Sequence, residues 1–245
     1  MPLRIGCDLD GVLADMDAGL LREAEALFGK GVVRRLEEGA DAPPPDTEAG
    51  DAAASRPETT APAVRLHITS RQERRLWRHI GTVENFWEGL EEIEPGVVKK
   101  LASLASERRW EIIFLTKRPE SAGATAQVQT QRWLQSKGFA LPSVFVVQGS
   151  RGRIASALHL DVIIDDRPEN CLDVVMDSKR ARAILVWRDD PARLPAASQR
   201  LGIGVVKSVS QCLDILTQLD GPDKDEPGVM ARVKKLLGLG ESASV

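Results

Sequence analysis

The sequence predicts an α/β protein built on a doubly wound, Rossmann-like parallel sheet. Three observations lead there. Short runs rich in Val, Ile and Leu recur along the 245 residues: Leu3–Cys7, Ile112–Leu115, Val144–Val147, Val162–Ile164, Ile184–Trp187 and Ile203–Val206. Continuous apolar runs of this length suit strands buried on both faces, as in a parallel sheet. Between them lie segments of helical length, Glu120–Lys137, Gly152–Leu158, Glu169–Asp177 and Ser210–Leu219. Alternating strands and helices imply right-handed crossovers. One connection is far too long, and so predicts an inserted module.

Taken in order, Met1 to Leu9 has no long apolar stretch and reads as a first strand, not a secretory signal. About a hundred residues then separate this strand from Ile112, where a crossover needs roughly a dozen. The insertion begins with a helix over Met16–Phe28. Residues 37–63 are rich in Pro, Ala, Asp and Glu, with Pro43-Pro44-Pro45 and Ala52-Ala53-Ala54, and have almost no large apolar side chain. Such a segment cannot bury enough surface to order itself, which predicts disorder. Structure resumes near Val64, with helices over Gln72–His79 and Val83–Leu90. Pro95 then opens a helix running to about Ser106 that leads back to the sheet. The expected organisation is a core of residues 1–14 and 96–220, a helical insertion of residues 15–95, and a tail of residues 221–245. In the tail, a polar linker Gly221–Pro227 precedes a helix with Val229, Val233, Leu236 and Leu237 on one face and Arg232, Lys234 and Lys235 mostly on the other. That helix is expected to dock on its own domain, with a partner or a membrane surface as the alternative.

Composition excludes several classes of function. The net charge is −3 and no basic field is evident, so duplex nucleic acid is not an expected partner. No apolar run approaches the ~20 residues that span a bilayer. Cys7, Cys171 and Cys212 are odd in number and widely spaced, which argues against a disulfide framework and a zinc site. They predict a cytoplasmic protein with reduced thiols. The chain has no Tyr, so an aromatic pocket wall must come from Trp or Phe.

Four clusters carry chemistry. Asp8-Leu9-Asp10-Gly11 closes the first strand. Side chains two apart on a strand share a side, so these carboxylates repel unless a cation lies between them or one holds a proton. Alone, the pair is equally a turn or a helix N-cap; its place at the end of a central strand is where open α/β sheets bind ligands. The second strand-end cluster is Thr116-Lys117-Arg118-Pro119. Thr116 can donate to a phosphate oxygen or cap the next helix, and Lys117 and Arg118 add positive charge. The third, Asp165-Asp166-Arg167-Pro168, offers hard oxygen ligands for Mg²⁺, or a helix N-cap with Pro168 in the first turn. Fourteen residues before Asp165 stands Arg151, with Arg153 close by. Either arginine can neutralise a nucleophile and a phosphate, or be a solvated surface charge.

Taken along the chain, Asp-x-Asp-Gly, a strand ending in Thr116, the basic Arg151 and a strand ending in Asp165-Asp166 resemble the motifs of the haloacid dehalogenase (HAD) superfamily, over roughly residues 3–30 and 83–188, and the insertion resembles a small helical cap of the C1 type. Within the superfamily the similarity is to the 5'(3')-deoxyribonucleotidase-like group. It is carried by Asp10-Gly11-Val12-Leu13-Ala14-Asp15, by Phe86-Trp87-Glu88-Gly89-Leu90-Glu91, and by Ile93-Glu94-Pro95-Gly96. The sequence departs from that pattern in having Arg151 where Lys is usual, Thr-Lys-Arg-Pro where Thr-Ser-Pro is more common, and a Pro/Ala-rich segment with no counterpart.

The resemblance implies a Mg²⁺-dependent phosphomonoester hydrolase, acting on nucleoside monophosphates. Asp8 would be the nucleophile and Asp10 the acid/base. Thr116, Lys117 and Arg151 would meet the phosphate, with Thr116 and Arg151 also catalytic. The metal site would comprise Asp8, Asp10 through its main-chain carbonyl, Asp166, and Asp165 behind them or positioning Arg151. Phe86 and Trp87 would contact the leaving group or pack in the core, and Trp77, Arg74, Arg75 and Arg78 would contact substrate or form a solvated face. A homodimer is an allowed assembly. His67, His79 and His159 fall outside every cluster. Alternatives are an enzyme for another phosphoester (a sugar phosphate, polynucleotide end or phosphoprotein) and a catalytically weak Mg²⁺- or phosphate-binding regulator.

Overall fold

A computed structural model of the chain describes residues 2–30, 34 and 35, and 66–219. Six parallel strands form one sheet: β1 (Arg4–Asp8), β4 (Glu111–Thr116), β5 (Ser143–Val146), β6 (Val162–Asp165), β7 (Arg182–Val186) and β8 (Gly204–Val206). Their order is β5-β4-β1-β6-β7-β8, and each coincides with an apolar run of the sequence to within two residues at either end. The chain winds outward from β1 to β4 and β5, then crosses to β6 on the other side of β1. The switch in winding direction therefore falls at β1, and the crevice beyond its carboxyl end is where this topology binds ligands. Residues Ile5, Gly6 and Cys7 pair with Ile112, Ile113 and Phe114 on one side, and with Val162, Ile163 and Ile164 on the other.

Alternate strand residues feed two apolar layers. Ile5, Cys7, Ile112, Phe114, Val162, Ile164, Ile184 and Val186 face one layer; Ile113, Leu115, Ile163, Ala183 and Leu185 face the other. The second layer is closed by α5 (Arg151–Ala157) and α6 (Pro168–Asp177). The first receives α3 (Val97–Arg108), α4 (Ala126–Ser136), α8 (Val209–Leu219), and the helices of the insertion, α1 (Met16–Phe28) and α2 (Ser70–Ile80). Leu20, Leu21 and Ala24 of α1 and Leu76 and Ile80 of α2 belong to the same apolar cluster as the sheet residues. The described parts of the insertion thus share one core with the sheet. Its stem is tied by Asp15 N to Glu91 O and Ile93 N to Leu13 O, both 2.9 Å.

Three helix boundaries differ from expectation. Val83–Leu90 forms only a single 3₁₀ turn, Phe86–Gly89, preceded by Asn85 in the left-handed region. Tertiary contacts set this backbone: Asn85 Oδ1 accepts from Ala124 N, and Asn85 N donates to Ala122 O. The helix expected from Glu120 starts at Ala126, where Thr125 caps it, because Gly123 has φ +91°. The helix expected from Pro95 starts at Val97, with Glu92 accepting from Gly96 N and Val98 N. The two-residue pair β2 (Arg34–Arg35) and β3 (Leu66–His67), a 3₁₀ turn at Pro191–Arg193, and α7 (Ala196–Arg200) had no sequence signal. The expected disorder of residues 37–63 and the tail helix of residues 221–245 lie outside the described residues. No helix among the described residues is long and apolar enough to cross a membrane.

Candidate active site

The ends of β1, β4 and β6 meet at the switch point and bring three of the sequence clusters together. After Asp8 the chain turns sharply: Leu9 O accepts from Leu13 N and Ala14 N, both at 2.8 Å. Gly11 has φ +85°. A Cβ added there would stand 2.6 Å from Asp166 Cγ, and nearer still to Oδ2. Gly11 therefore serves two needs, a left-handed turn and the close seating of the Asp166 carboxyl over it.

Asp8 is buried, and Arg151 Nη2 donates to its Oδ1. Arg151 opens α5 and is 2% exposed; its Nε lies 3.4 Å from Asp165 Oδ2. Asp165 is fully buried and accepts from Asn170 Nδ2 at 3.0 and 2.9 Å and from Arg167 N at 2.9 Å. Burial above all, then Asp165, hold the Asp8 carboxyl well above the usual carboxylate range, with Arg151 opposing them. Burial works against the Arg151 charge, but Asp8 and Asp165 outweigh it and raise its pKa. Its Nη1 is buried with no hydrogen-bond partner among the described residues. A buried donor left unspent costs free energy unless water or an anion takes it up. Arg153 has an 84% exposed side chain and pairs at 3.8 Å with Asp177. Of the two arginines, Arg151 is the one at the cluster.

Asp10 is held from the other side. Thr116 Oγ1 donates to its Oδ2 at 3.1 Å, and Arg118, 1% exposed, donates through Nη2 to Oδ1 at 2.7 Å. Lys117 beside them is half-buried and forms no ion pair among the described residues. Sequence reasoning missed Arg118 as a site residue, and also Asn170, the buried partner of Asp165. It missed Arg188 too, which donates to Gly11 O at 2.6 Å and Val12 O at 3.1 Å. The run Thr116-Lys117-Arg118 held a signal in its paired cations, but which of them turns inward is decided by the fold.

One expectation is corrected. Phe86 and Trp87 are 3% and 0% exposed, packed edge to face at 4.9 Å, and Trp87 Nε1 donates to Pro119 O. They are core residues and present no stacking wall. The carboxylate of Asp10 is engaged by Arg118 and Thr116, and that of Asp165 by Asn170 and Arg167 N. Trp77 is half-buried and Arg74, Arg75 and Arg78 are exposed, with Arg75 lying over the Phe28 ring at 5.5 Å.

Among the described residues, no group of three or more His, Cys, Asp or Glu side chains could hold a metal ion by itself. A site of two carboxylates and a main-chain carbonyl does not require one. The donor set fits a hard divalent cation: Asp8 and Asp166 are buried oxygen donors at neighbouring strand ends, with Asp10 paired to Arg118 and both Asp8 and Asp165 to Arg151. Beside them a cavity of about 140 Å³ is lined by Gly11, Asp166, Trp187 and Arg188 of the strand ends and by Asp15 and Asp17 of the insertion.

Fold and site together define a Rossmann-like α/β protein with a buried carboxylate–guanidinium cluster at the switch point of its sheet. Seventeen chains of solved structures match. One is a crystal structure described provisionally as a beta-phosphoglucomutase from Thermotoga maritima, 16% identical, covering 88% of this chain and 99% of that one at a TM-score of 0.47. No protein-family profile matches the sequence, and no curated protein does.

Proposed function

We propose that the protein is a phosphomonoester hydrolase of the HAD type with Asp8 as its nucleophile. The observation that carries this is the pairing of Asp8 with Arg151 at the switch point, where Arg151 Nη1 is buried beside the carboxylate with no hydrogen-bond partner among the described residues. An unspent guanidinium donor next to a buried carboxylate suits an incoming anion better than a purely structural ion pair. An Asp8 oxygen attacks phosphorus and the ester oxygen departs with a proton from Asp10, leaving an aspartyl-phosphate. Water then attacks the same phosphorus, gives a proton to Asp10, and releases Asp8 and phosphate. Thr116 and Arg151 orient the phosphoryl oxygens, and Lys117 at the rim draws the anion in. Asp8, Asp166 and the carbonyl of Asp10 would hold Mg²⁺, which when bound offsets the repulsion between an anionic carboxylate and an anionic phosphate.

Nucleoside monophosphates are the first substrate class to test, with the base meeting Trp187 in the cavity wall now that Phe86 and Trp87 are accounted for in the core. The carboxylates of Asp15 and Asp17 in the same cavity favour a second reading, a hydroxyl-rich leaving group such as a sugar phosphate. Hydrolysis of p-nitrophenyl phosphate should need Mg²⁺, stop with EDTA, and fall at least ~10³-fold in Asp8→Asn without a change in melting temperature. Unchanged turnover in Asp8→Asn overturns the proposal. A panel of nucleotides and sugar phosphates separates the two substrate classes, and activity unaffected by EDTA removes the metal from the scheme.

A further inference from the structure

The geometry points to Arg118 as the residue that positions Asp10 for the hydrolytic step, an assignment that rests on the phosphatase reading above. Arg118 lies just past the end of β4 and is 1% exposed. A guanidinium taken out of water needs partners along its edge and cover on its faces. Here it has both. Nε stands 3.0 Å from each carboxylate oxygen of Asp10, Nη2 stands 2.7 Å from Oδ1, and Nη1 donates to Thr130 Oγ1 at 3.0 Å. The guanidinium carbon lies 4.9 Å from the ring centre of Trp87 and 5.9 Å from that of Trp133.

Each wall of this cage is itself pinned. Trp87 Nε1 donates to Pro119 O at 3.0 Å, Trp133 Nε1 to Leu90 O at 2.7 Å, and Thr130 Oγ1 to Ala126 O at 2.7 Å. Neutralising one carboxylate does not require so much: a lysine supplies the same charge, whereas a planar fork also fixes direction. A guanidinium only donates, and Thr116 Oγ1 donates to Asp10 as well. Both Asp10 oxygens therefore accept, and the plane of the carboxylate is fixed by the fork. In the second step the water oxygen bonds to phosphorus, the bond from phosphorus to the Asp8 oxygen breaks with its electron pair returning to Asp8, and the water proton passes to Asp10. The fork of Arg118 sets which way the Asp10 oxygens face while that proton is taken.

The test is Arg118→Lys, assayed by stopped flow with p-nitrophenyl phosphate and Mg²⁺. Nitrophenolate departs without needing a proton, so formation of the aspartyl-phosphate should run nearly as in the wild type while its hydrolysis slows. The expected result is a burst of one equivalent of nitrophenolate, kcat lower by about 30- to 100-fold, and KM lower by a similar factor, so that kcat/KM stays within about threefold. A merely structural role lowers kcat/KM together with kcat and gives no burst; that outcome, or an unaltered kcat, overturns the assignment. Should Arg118→Lys fail to fold, Thr130→Val loosens the far end of the same fork and is expected to give the burst with a fall in kcat of about 3- to 10-fold; its absence there is equally decisive. A wild-type protein that hydrolyses nothing with Mg²⁺ present removes the phosphatase reading itself, and this role with it.

Discussion

Replacing Glu94 with alanine should loosen the molecule where three parts of it meet. Glu94 stands at the stem of the insertion, and its carboxylate reaches the start of α8: Oε1 accepts from Val209 N at 2.7 Å and Oε2 from Ser210 N at 3.0 Å. Arg188 Nη2, whose guanidinium also braces Gly11 and Val12, donates to Oε1 at 3.0 Å. A carboxylate on the unpaired N–H groups of a helix's first turn is an N-cap, here supplied by a residue remote in sequence. Losing a cap costs about 1–2 kcal/mol. The ion pair with Arg188, with side chains 27% and 20% exposed, contributes about 0.5–1 kcal/mol more after solvent screening. For a chain of this size 1 kcal/mol moves the melting temperature by about 2–4 °C, so Glu94→Ala should melt about 3–12 °C lower at pH 7. Burial alone would raise the Glu94 pKa, but the Ser210 and Val209 N–H groups and Arg188 outweigh it and hold the carboxyl below its usual value. Because the folded pKa is the lower one, this stabilisation is complete above the unfolded value of about 4.3 and fades as pH falls through the folded value. Calorimetry of both proteins should show a gap that narrows from pH 7 toward pH 3. Equal melting temperatures at pH 7, or a gap that persists undiminished in acid, would refute the reasoning.

Two further outcomes follow from the same geometry. Gly11→Ala places a Cβ in a left-handed backbone at about 1–2 kcal/mol and pushes the Asp166 carboxyl aside; the Mg²⁺ concentration for half-maximal p-nitrophenyl phosphate turnover should rise tenfold or more, and an unmoved titration curve removes Asp166 from the metal site. Cys7, Cys171 and Cys212 are buried, and burial first of all pushes their thiols up, that of Cys212 to about 12. An aromatic disulfide reagent should therefore leave the native protein unlabelled over minutes and titrate three thiols in guanidinium; rapid labelling of the folded protein contradicts this packing.

The sheet was legible because its strands are buried on both faces. Ile112–Leu115 and Val162–Ile164 carry no polar interruption, and their shortness, β-branched content and alternation with helical segments together suit a parallel sheet. Helices with their own caps were legible too, as at Met16–Phe28, where Asp15 accepts from Ala18 N. Where the backbone is set from outside, local pattern misled. Asn85 and Gly123 lock together across two loops, so Val83–Leu90 does not continue as a helix. The placing of Phe86 and Trp87 against substrate failed for the same reason: an aromatic side chain is recognisable in sequence, but the surface it covers is not. Arg118 shows the converse. Nothing local marks it as buried, because its cage is assembled from Trp87, Thr130 and Trp133, drawn from two other elements.

The division of labour among the carboxylates follows from how their acceptors are allocated. All four lie at strand ends within one crevice, and by charge alone they are interchangeable. Asp10 has a guanidinium fork and a hydroxyl of its own, and Asp165 has an amide and a backbone N–H of its own. The Arg118 fork on Asp10 and the Asn170 amide on Asp165 fix these carboxylates by donors that no substrate needs to displace, whereas the Thr116 hydroxyl is free to turn from Asp10 to a phosphoryl oxygen. Asp8, in contrast, shares Arg151 with Asp165, and that arginine still has a buried N–H to give. An anion arriving at Nη1 would therefore meet Asp8 beside it without breaking either of the other two sets. On the proposed reading it is this allocation, more than the Asp-x-Asp spacing, that favours Asp8 as the reacting carboxylate and leaves Asp10 as the one held steady for proton transfer.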